Sequence, residues 1–295
     1  MKVGLIGLGL MGEPMGFNWI KKGFGLSILP HRRTEAAAAL EKSGAQMASS
    51  VEDLCKKSDV IILMVPTSRE VESLTHEIEK FITPQQFVID MSTSEPASTL
   101  ALHKSFKENG LRFFDAPVTG GVKGATEGTL TLFIGGPEEW VKACMPVLGA
   151  VSQKQIHFGD AGQGHVAKII NNFVCIGNMA VLAEALPMAS KLGLDPNKIF
   201  DALSDGMAAS RQLNFYGPQI LQGDFAPRFR LSHALKDMKM AKEITKQLKV
   251  TLPVLEGIIS DFDKATILDL LEKNVSALIQ PIEKAMGTEF RSAKD

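Results

Sequence analysis

Along the first half of the chain, short β-rich runs, several of them continuously apolar, alternate with stretches where apolar residues recur every three or four positions. The runs fall near residues 2–6, 26–29, 59–65, 87–91, 113–118 and 130–134. Val60-Ile61-Ile62-Leu63-Met64-Val65 is apolar throughout, the pattern of a parallel strand covered on both faces. Residues 13–22 and 34–43 carry helical spacing. Strands alternating with helices predict right-handed crossovers and a doubly wound, parallel α/β sheet. Near residue 160 the pattern becomes helical almost throughout. Residues 166–192 read as one long helix, with Pro187 as a kink point and Gly193 as its end. Asp195-Pro196 restarts a helix, aspartate at the cap and proline in the first turn. Further helices are predicted over 197–205, 234–248, 254–265 and 268–286. The expectation is an α/β domain over residues 1–160, then an all-α domain over 161–295 that begins with a long interdomain helix. The sequence shows no internal repeat and no low-complexity linker.

Composition narrows the partners. The 295 residues hold 32 basic and 33 acidic side chains, which gives no electrostatic reason to expect nucleic acid or an anionic membrane. Cys55, Cys144 and Cys175 are odd in number and widely spaced. They fit neither a disulfide framework nor a zinc site, and read as small hydrophobes in a reducing compartment. The six histidines show no ligand spacing, so no metal is expected. Met1-Lys2 and the apolar residues that follow mimic a short signal peptide, but a strand entering a glycine turn explains them better. No continuous apolar run reaches the roughly 18 residues that span a bilayer. The chain is therefore expected in the cytoplasm.

Gly7-Leu8-Gly9-Leu10-Met11-Gly12 fits G-x-G-x-x-G and lies between the first strand and the first helix. In that context the first glycine permits a tight turn and the second lets backbone approach a pyrophosphate. The third lets helix and strand pack closely. The helix N-terminus adds unpaired N–H groups and partial positive charge. A Rossmann-type, dinucleotide-binding N-terminal domain follows. After the second strand comes Pro30-His31-Arg32-Arg33-Thr34, with no carboxylate before Glu35. An NAD site usually has an acid there for the ribose hydroxyls. Two guanidinium groups suit a 2′-phosphate instead, so His31, Arg32 and Arg33 predict NADP in preference to NAD.

Three further segments carry candidate chemistry. Asp115-Ala116-Pro117-Val118-Thr119-Gly120-Gly121 closes a strand. Thr119 offers a hydroxyl and the Gly120-Gly121 amides an anion-binding nest, and with Gly124 and Gly128 the loop could lie close to a ligand. In Gly162-Gln163-Gly164-His165-Val166-Ala167-Lys168-Ile169-Ile170-Asn171-Asn172, Lys168 and Asn172 share a helix face. Polar groups on so apolar a helix point to a cavity, and Gly164 is expected to leave room there for a bound molecule. Lys236-Asp237-Met238 lies inside a helix and reads equally well as a solvated pair.

These motifs, in this order over nearly the whole chain, resemble the β-hydroxyacid dehydrogenase family. This is the group of 3-hydroxyisobutyrate, tartronate semialdehyde and glyoxylate/succinic semialdehyde reductases, distantly related to 6-phosphogluconate dehydrogenase. The family's G-L-G-x-M-G-x-x-M is similar to the stretch from Gly7 to Met15, and its D-A-P-V-S-G-G to that from Asp115 to Gly121, with Thr119 replacing serine. Its G-x-G-x-x-x-K-x-x-N-N is intact from Gly162 to Asn172, and its K-D-L appears as Lys236-Asp237-Met238. The resemblance implies that Lys168 is the catalytic lysine. It implies that Thr119, Gly120, Gly121 and Asn172 hold a small carboxylate-bearing substrate, and that Lys236 lies at the nicotinamide end. Val65-Pro66 and Thr93 would touch the dinucleotide. The helical domains would assemble dimers or tetramers. Pro30 departs from NAD-preferring members, which carry an acid there; the tail after Leu252 matches less clearly.

The expected reaction is hydride transfer between NADP(H), or NAD(H), and a small 3-hydroxy acid or semialdehyde, with Lys168 as general acid and base. Its burial, and a nearby Lys236 of like charge, would ease its deprotonation. Two alternatives stay open: an imine reductase on the same scaffold and a non-catalytic dinucleotide-binding protein. The presence of Lys168 and Asn172 argues against both. Residues near 206–213, with Phe229, His233 and Met240, are candidates for shaping the pocket.

Overall fold

The structure is a computed structural model and describes residues 1–31 and 33–293. The chain divides into two compact units, Met1–Lys168 and Ile169–Asp295.

The first unit alternates strands and helices: β1 (Lys2–Ile6), α1 (Gly12–Lys21), β2 (Gly25–Leu29), α2 (Thr34–Lys42), β3 (Gln46–Met47), α3 (Val51–Lys56), β4 (Val60–Leu63), α4 (Ser68–Ile78), β5 (Phe87–Asp90), α5 (Pro96–Glu108) and β6 (Arg112–Asp115). It continues through β7 (Val118–Thr119), α6 (Gly121–Glu127), β8 (Leu130–Gly135), α7 (Glu138–Gly149) and β9 (Ser152–Gly159). The sheet order is β3-β2-β1-β4-β5-β6-β8-β7, with β9 also paired to β8. From β3 to β6 every pairing is parallel. β8 runs antiparallel to β6 and β7, and β9 returns parallel to β8.

The strand period of two explains why the central runs are apolar throughout. Val60 and Ile62 belong to the core on one face, with Met15, Trp19 and Leu40. Ile61 and Leu63 belong to the core on the other, with Leu54, Val71 and Phe106. Each core buries the apolar side of the crossover helices on its own face. The doubly wound expectation therefore holds for β1 to β6.

Differences from the sequence-based reading have local causes. The run at 113–118 is two strands, because Pro117 lacks an N–H and the chain turns after Asp115. β3 and β9 carry no apolar run; β9 reads Ser-Gln-Lys-Gln-Ile-His-Phe-Gly and is largely exposed.

Helix α8 (Gln163–Lys191) begins in the first unit and runs on unbroken through Pro187. By length and composition alone it could cross a membrane, although no unbroken apolar run suggested it. It supplies Ile169, Ile176, Met179, Ala183 and Leu186 to the second unit's core.

The second unit continues with α9 (Pro196–Asp205), α10 (Arg211–Gln222), α11 (Leu231–Gln247), α12 (Pro253–Ile267) and α13 (Gln280–Met286), with a 3-10 turn at Val275–Ile279. Asp195 caps α9, its carboxylate accepting from the N–H groups of Asn197 and Lys198. The sequence reading passes over α10, which Ser210 caps by accepting from Leu213 N–H. It also joins 268–286 into one helix. In the structure α12 reaches Ile267, Asp269 takes a positive φ of 55°, and Pro281 sits in the first turn of a separate helix.

Candidate functional site

The glycine turn follows β1 and opens α1 at Gly12. Each glycine has its own geometry. Gly7 has φ +107°, and a side chain there would strike the Met64 carbonyl on the loop after β4. A side chain on Gly12 would strike the Gly7 carbonyl oxygen. Gly9 has nothing within 4 Å of where its Cβ would be. The outer two glycines thus close the turn, while the middle one leaves an open cradle over the N-terminal amides of α1. That is the space and polarity a pyrophosphate needs.

Val65 and Pro66 follow β4, and Thr93 follows β5. Val65 N–H donates to Ser92 Oγ at 3.0 Å, which ties these two loops together. Residues 7–12, 65–66 and 93 therefore sit at the carboxyl ends of three adjacent strands, β1, β4 and β5, where open α/β sheets bind ligands. At the end of β2, His31 is exposed. The Arg33 guanidinium lies 3.2 Å from the Glu13 carboxylate of α1, and Arg32 lies outside the described residues.

Further along the same sheet edge, Asp115 ends β6 and is fully buried. Its Oδ1 accepts from Gly162 N–H at 2.6 Å and its Oδ2 from His165 N–H at 2.8 Å. A carboxylate from a distant strand thus caps α8, an arrangement the helix dipole favours. Burial pushes the Asp115 carboxyl up, opposed by His165 and these two backbone donors.

Gly164 corrects the sequence reading. A Cβ there would lie 2.7 Å from Asp115 Oδ2 and 2.9 Å from Gly135 N, and would strike the Phe133 carbonyl. Protein fills the space expected for a ligand, and this glycine lets the first turn of α8 pack on β6 and β8. Gly124 is also a packing residue, facing Leu130, and Gly128 faces Asn18. Gly120 and Gly121 differ: both have positive φ, and Gly121 looks onto open space beside the partly exposed Thr119. Lys168, five residues into α8, is only 9% exposed.

In the second unit Asn172 is 5% exposed. Its Nδ2 donates to Asp237 Oδ2 at 2.6 Å and its Oδ1 accepts from Asn171 at 2.9 Å. Asp237 is 2% exposed, so the Lys236-Asp237 pair is not a solvated face. The Lys236 ammonium lies 3.4 Å from Asp237 Oδ1, close enough for an ion pair though not aligned as a hydrogen bond. Asp237 therefore fixes the Asn172 amide from one oxygen and pairs with Lys236 through the other. Sequence reasoning gave Asp237 no such part, and only its place in the K-D motif signals it. Of the pocket-shaping candidates, Met240 is buried, Phe229 is half-buried, and Leu213 lies in the core.

The fold and these loops define a nicotinamide-dinucleotide-binding oxidoreductase. Residues 2–159 match a family model described as the NAD binding domain of 6-phosphogluconate dehydrogenase. Residues 162–282 match one described as NAD-binding of NADP-dependent 3-hydroxyisobutyrate dehydrogenase. The chain belongs to the β-hydroxyacid dehydrogenase family. It is 33% identical over 292 residues to 2-(hydroxymethyl)glutarate dehydrogenase of Eubacterium barkeri, covering 97% of this chain and 96% of that one. It is 31% identical over 286 residues to 2-hydroxy-3-oxopropionate reductase of Escherichia coli (strain K12), covering 96% and 97%. The structure of Mycobacterium tuberculosis 3-hydroxyisobutyrate dehydrogenase with L-serine superposes with a TM-score of 0.86 at 29% identity, covering 95% of this chain and 98% of that one.

Proposed function

We propose that this protein transfers a hydride between NADP(H) and a small 3-hydroxy acid or its semialdehyde, with Lys168 moving the proton. The observation that carries this reading is the pair Lys168 and Asn172. Both are almost completely buried, four residues apart on one helix. That burial shields both groups from water, and Asp237 fixes the Asn172 amide one turn from Lys168.

The bound dinucleotide supplies the hydride chemistry at its nicotinamide. The chain's residues do the rest. The cradle at Gly9 and the amides of α1 take the pyrophosphate, flanked by Leu8, Leu10 and Met11. Val65, Pro66 and Thr93 line the same strand ends. Thr119 and the Gly120 and Gly121 amides receive the substrate carboxylate. Lys168 Nζ takes the hydroxyl proton in oxidation and returns it to the carbonyl oxygen in reduction. Asn172, oriented by Asp237, directs the reacting oxygen. Lys236 is assigned to the cofactor, as its place in the family's K-D motif implies.

NADP is the favoured cofactor. No carboxylate lies between β2 and Glu35, and Arg33 lies within reach of Glu13 on the helix that opens at the glycine turn. The protein assembles as a homodimer or homotetramer through its helical part. Ile170, Val174, Val181 and Met188 of α8 support this, being apolar and exposed. The buried thiols of Cys55 and Cys144 suit the cytoplasm.

The test is a screen of glyoxylate, succinic semialdehyde and methylmalonate semialdehyde with NADPH and with NADH. A higher kcat/KM with NADPH on at least one acid supports the reading. Equal or better use of NADH overturns the cofactor assignment, and no turnover of any such acid overturns the activity.

A further inference from the structure

One buried titratable side chain has no part in the reaction just described. His165 lies three residues before Lys168 on α8 and is fully buried. Its ring is held at both nitrogens. Nε2 lies 3.2 Å from the Ser92 carbonyl oxygen, which can only accept, so Nε2 carries a hydrogen. Nδ1 lies 2.8 Å from Thr99 Oγ1 on α5. Two carboxylates flank the ring, Asp90 Oδ2 and Asp115 Oδ2, each at 3.7 Å.

Each carboxylate is itself committed. Asp90 Oδ1 accepts from Ser92 N–H at 2.8 Å and its Oδ2 from Ser94 Oγ at 2.6 Å. Asp115 holds the N–H groups of Gly162 and His165 itself. Asp90, Ser92, Ser94, Thr99, Asp115 and His165 are all buried, so this is a closed polar knot inside an apolar sheet edge. Such a network rigidifies what it connects when every member is satisfied.

What it connects gives it meaning. One end is the 92–94 loop, whose middle residue Thr93 is assigned to the dinucleotide. The other is the first turn of α8, which presents Lys168. We propose that His165 is a positioning residue that sets the Lys168 turn against the Thr93 loop. It thereby holds the proton-transferring ammonium in place relative to the nicotinamide end of the cofactor. The inference rests on the reading of Lys168 as the group that moves the proton. Sub-ångström placement of such a group matters, because a misplacement of about 1 Å costs on the order of 10²-fold in rate.

The test compares His165→Leu, which removes both ring contacts, with His165→Gln, whose amide can still donate to Ser92, and with Thr99→Val, which removes the Nδ1 partner together with that hydroxyl's bond to the Glu95 carbonyl. Expected for His165→Leu is a kcat lower by about 10²-fold with substrate KM changed by no more than about threefold. His165→Gln should recover most of that loss, and Thr99→Val should lie between. In hydrogen exchange, peptides covering residues 91–95 and 162–168 should open faster in His165→Leu than in His165→Gln. A mere loss of fold stability would lower the melting temperature without separating kcat from KM. Leucine and glutamine variants alike in kcat, or a leucine variant within about twofold of the unsubstituted enzyme, would overturn the proposal. Should His165→Leu not fold, an unchanged kcat in Thr99→Val overturns it. If the unsubstituted protein turns over none of the acids, the activity reading fails instead. Exchange in the two segments then decides, faster opening in both supporting the positioning role and unchanged opening overturning it.

Discussion

Replacing Gly164 with alanine tests the account of how α8 is seated. The new Cβ would lie 2.7 Å from Asp115 Oδ2 and 2.9 Å from Gly135 N, with the Phe133 carbonyl closer still. Ordinary carbon contacts need about 3.5 Å or more, so the turn must retreat by several tenths of an ångström. All three obstacles are backbone or a committed carboxylate, and none is the free end of a flexible side chain. Overpacking of this kind costs about 1–3 kcal/mol. The retreat also stretches the Gly162 and His165 N–H bonds to Asp115, and a hydrogen bond to a charged group contributes about 1.5–3 kcal/mol. Better helix propensity returns at most about 1 kcal/mol. The net expectation is a loss of roughly 2–5 kcal/mol, or a melting temperature lower by roughly 5–15 °C. Gly257→Ala is the control: Gly257 lies in α12 with nothing within 4 Å of its Cβ position, and should gain up to about 1 kcal/mol. Thermal unfolding by circular dichroism reads both. Shifts of the same sign, or a Gly164→Ala protein as stable as the original, would refute the packing argument.

Three more predictions address other parts of the molecule. Gly9→Val should leave the melting temperature within about 2 °C, since the cradle is open, yet raise the NADPH Kd by at least about tenfold in a fluorescence titration; unchanged binding would move the pyrophosphate elsewhere. Asp237→Asn should lower kcat by about tenfold or more with little effect on NADPH binding, because Asn172 loses a charge-assisted partner at 2.6 Å; steady-state kinetics reads this, and an unchanged kcat would remove Asp237 from the site. Burial pushes the thiols of Cys55 and Cys144 up to about 12, so at pH 8 only about 10⁻⁴ of each is thiolate. A disulfide reagent should spare both in the folded protein, with reactivity rising about tenfold per pH unit, and label them after denaturation; fast native labelling of either would contradict the burial.

The parts of the fold that were legible in the sequence are those specified locally. Val60 to Val65 announces a doubly covered strand by composition alone, and Gly7, Gly9 and Gly12 have roles set by their own turn. Asp195 and Pro196 likewise declare a helix start. The misses share one physical cause, dependence on distant residues. β9 is exposed and polar, and is a strand because β8 offers it a pairing edge. Gly164 could as well have faced a ligand as protein, and only the tertiary approach of Phe133, Gly135 and Asp115 decides which. Asp237 and His165 resemble ordinary polar residues until Asn172 of α8 meets the one and the β5–α5 loop closes on the other. The 268–286 stretch shows the converse, where Asp269 and Pro281 were local stop signals that the apolar periodicity masked.

The central claim is that Lys168 moves the proton in a dinucleotide-dependent reaction on a small acid, and Lys168→Ala measures it most directly. NADPH binding, followed by quenching of intrinsic fluorescence, and turnover of the preferred semialdehyde should be measured on the same preparation. The account predicts NADPH affinity within about threefold of the original and a kcat lower by about 10²-fold or more, the usual contribution of a general acid. Near-original kcat in the alanine variant would contradict it.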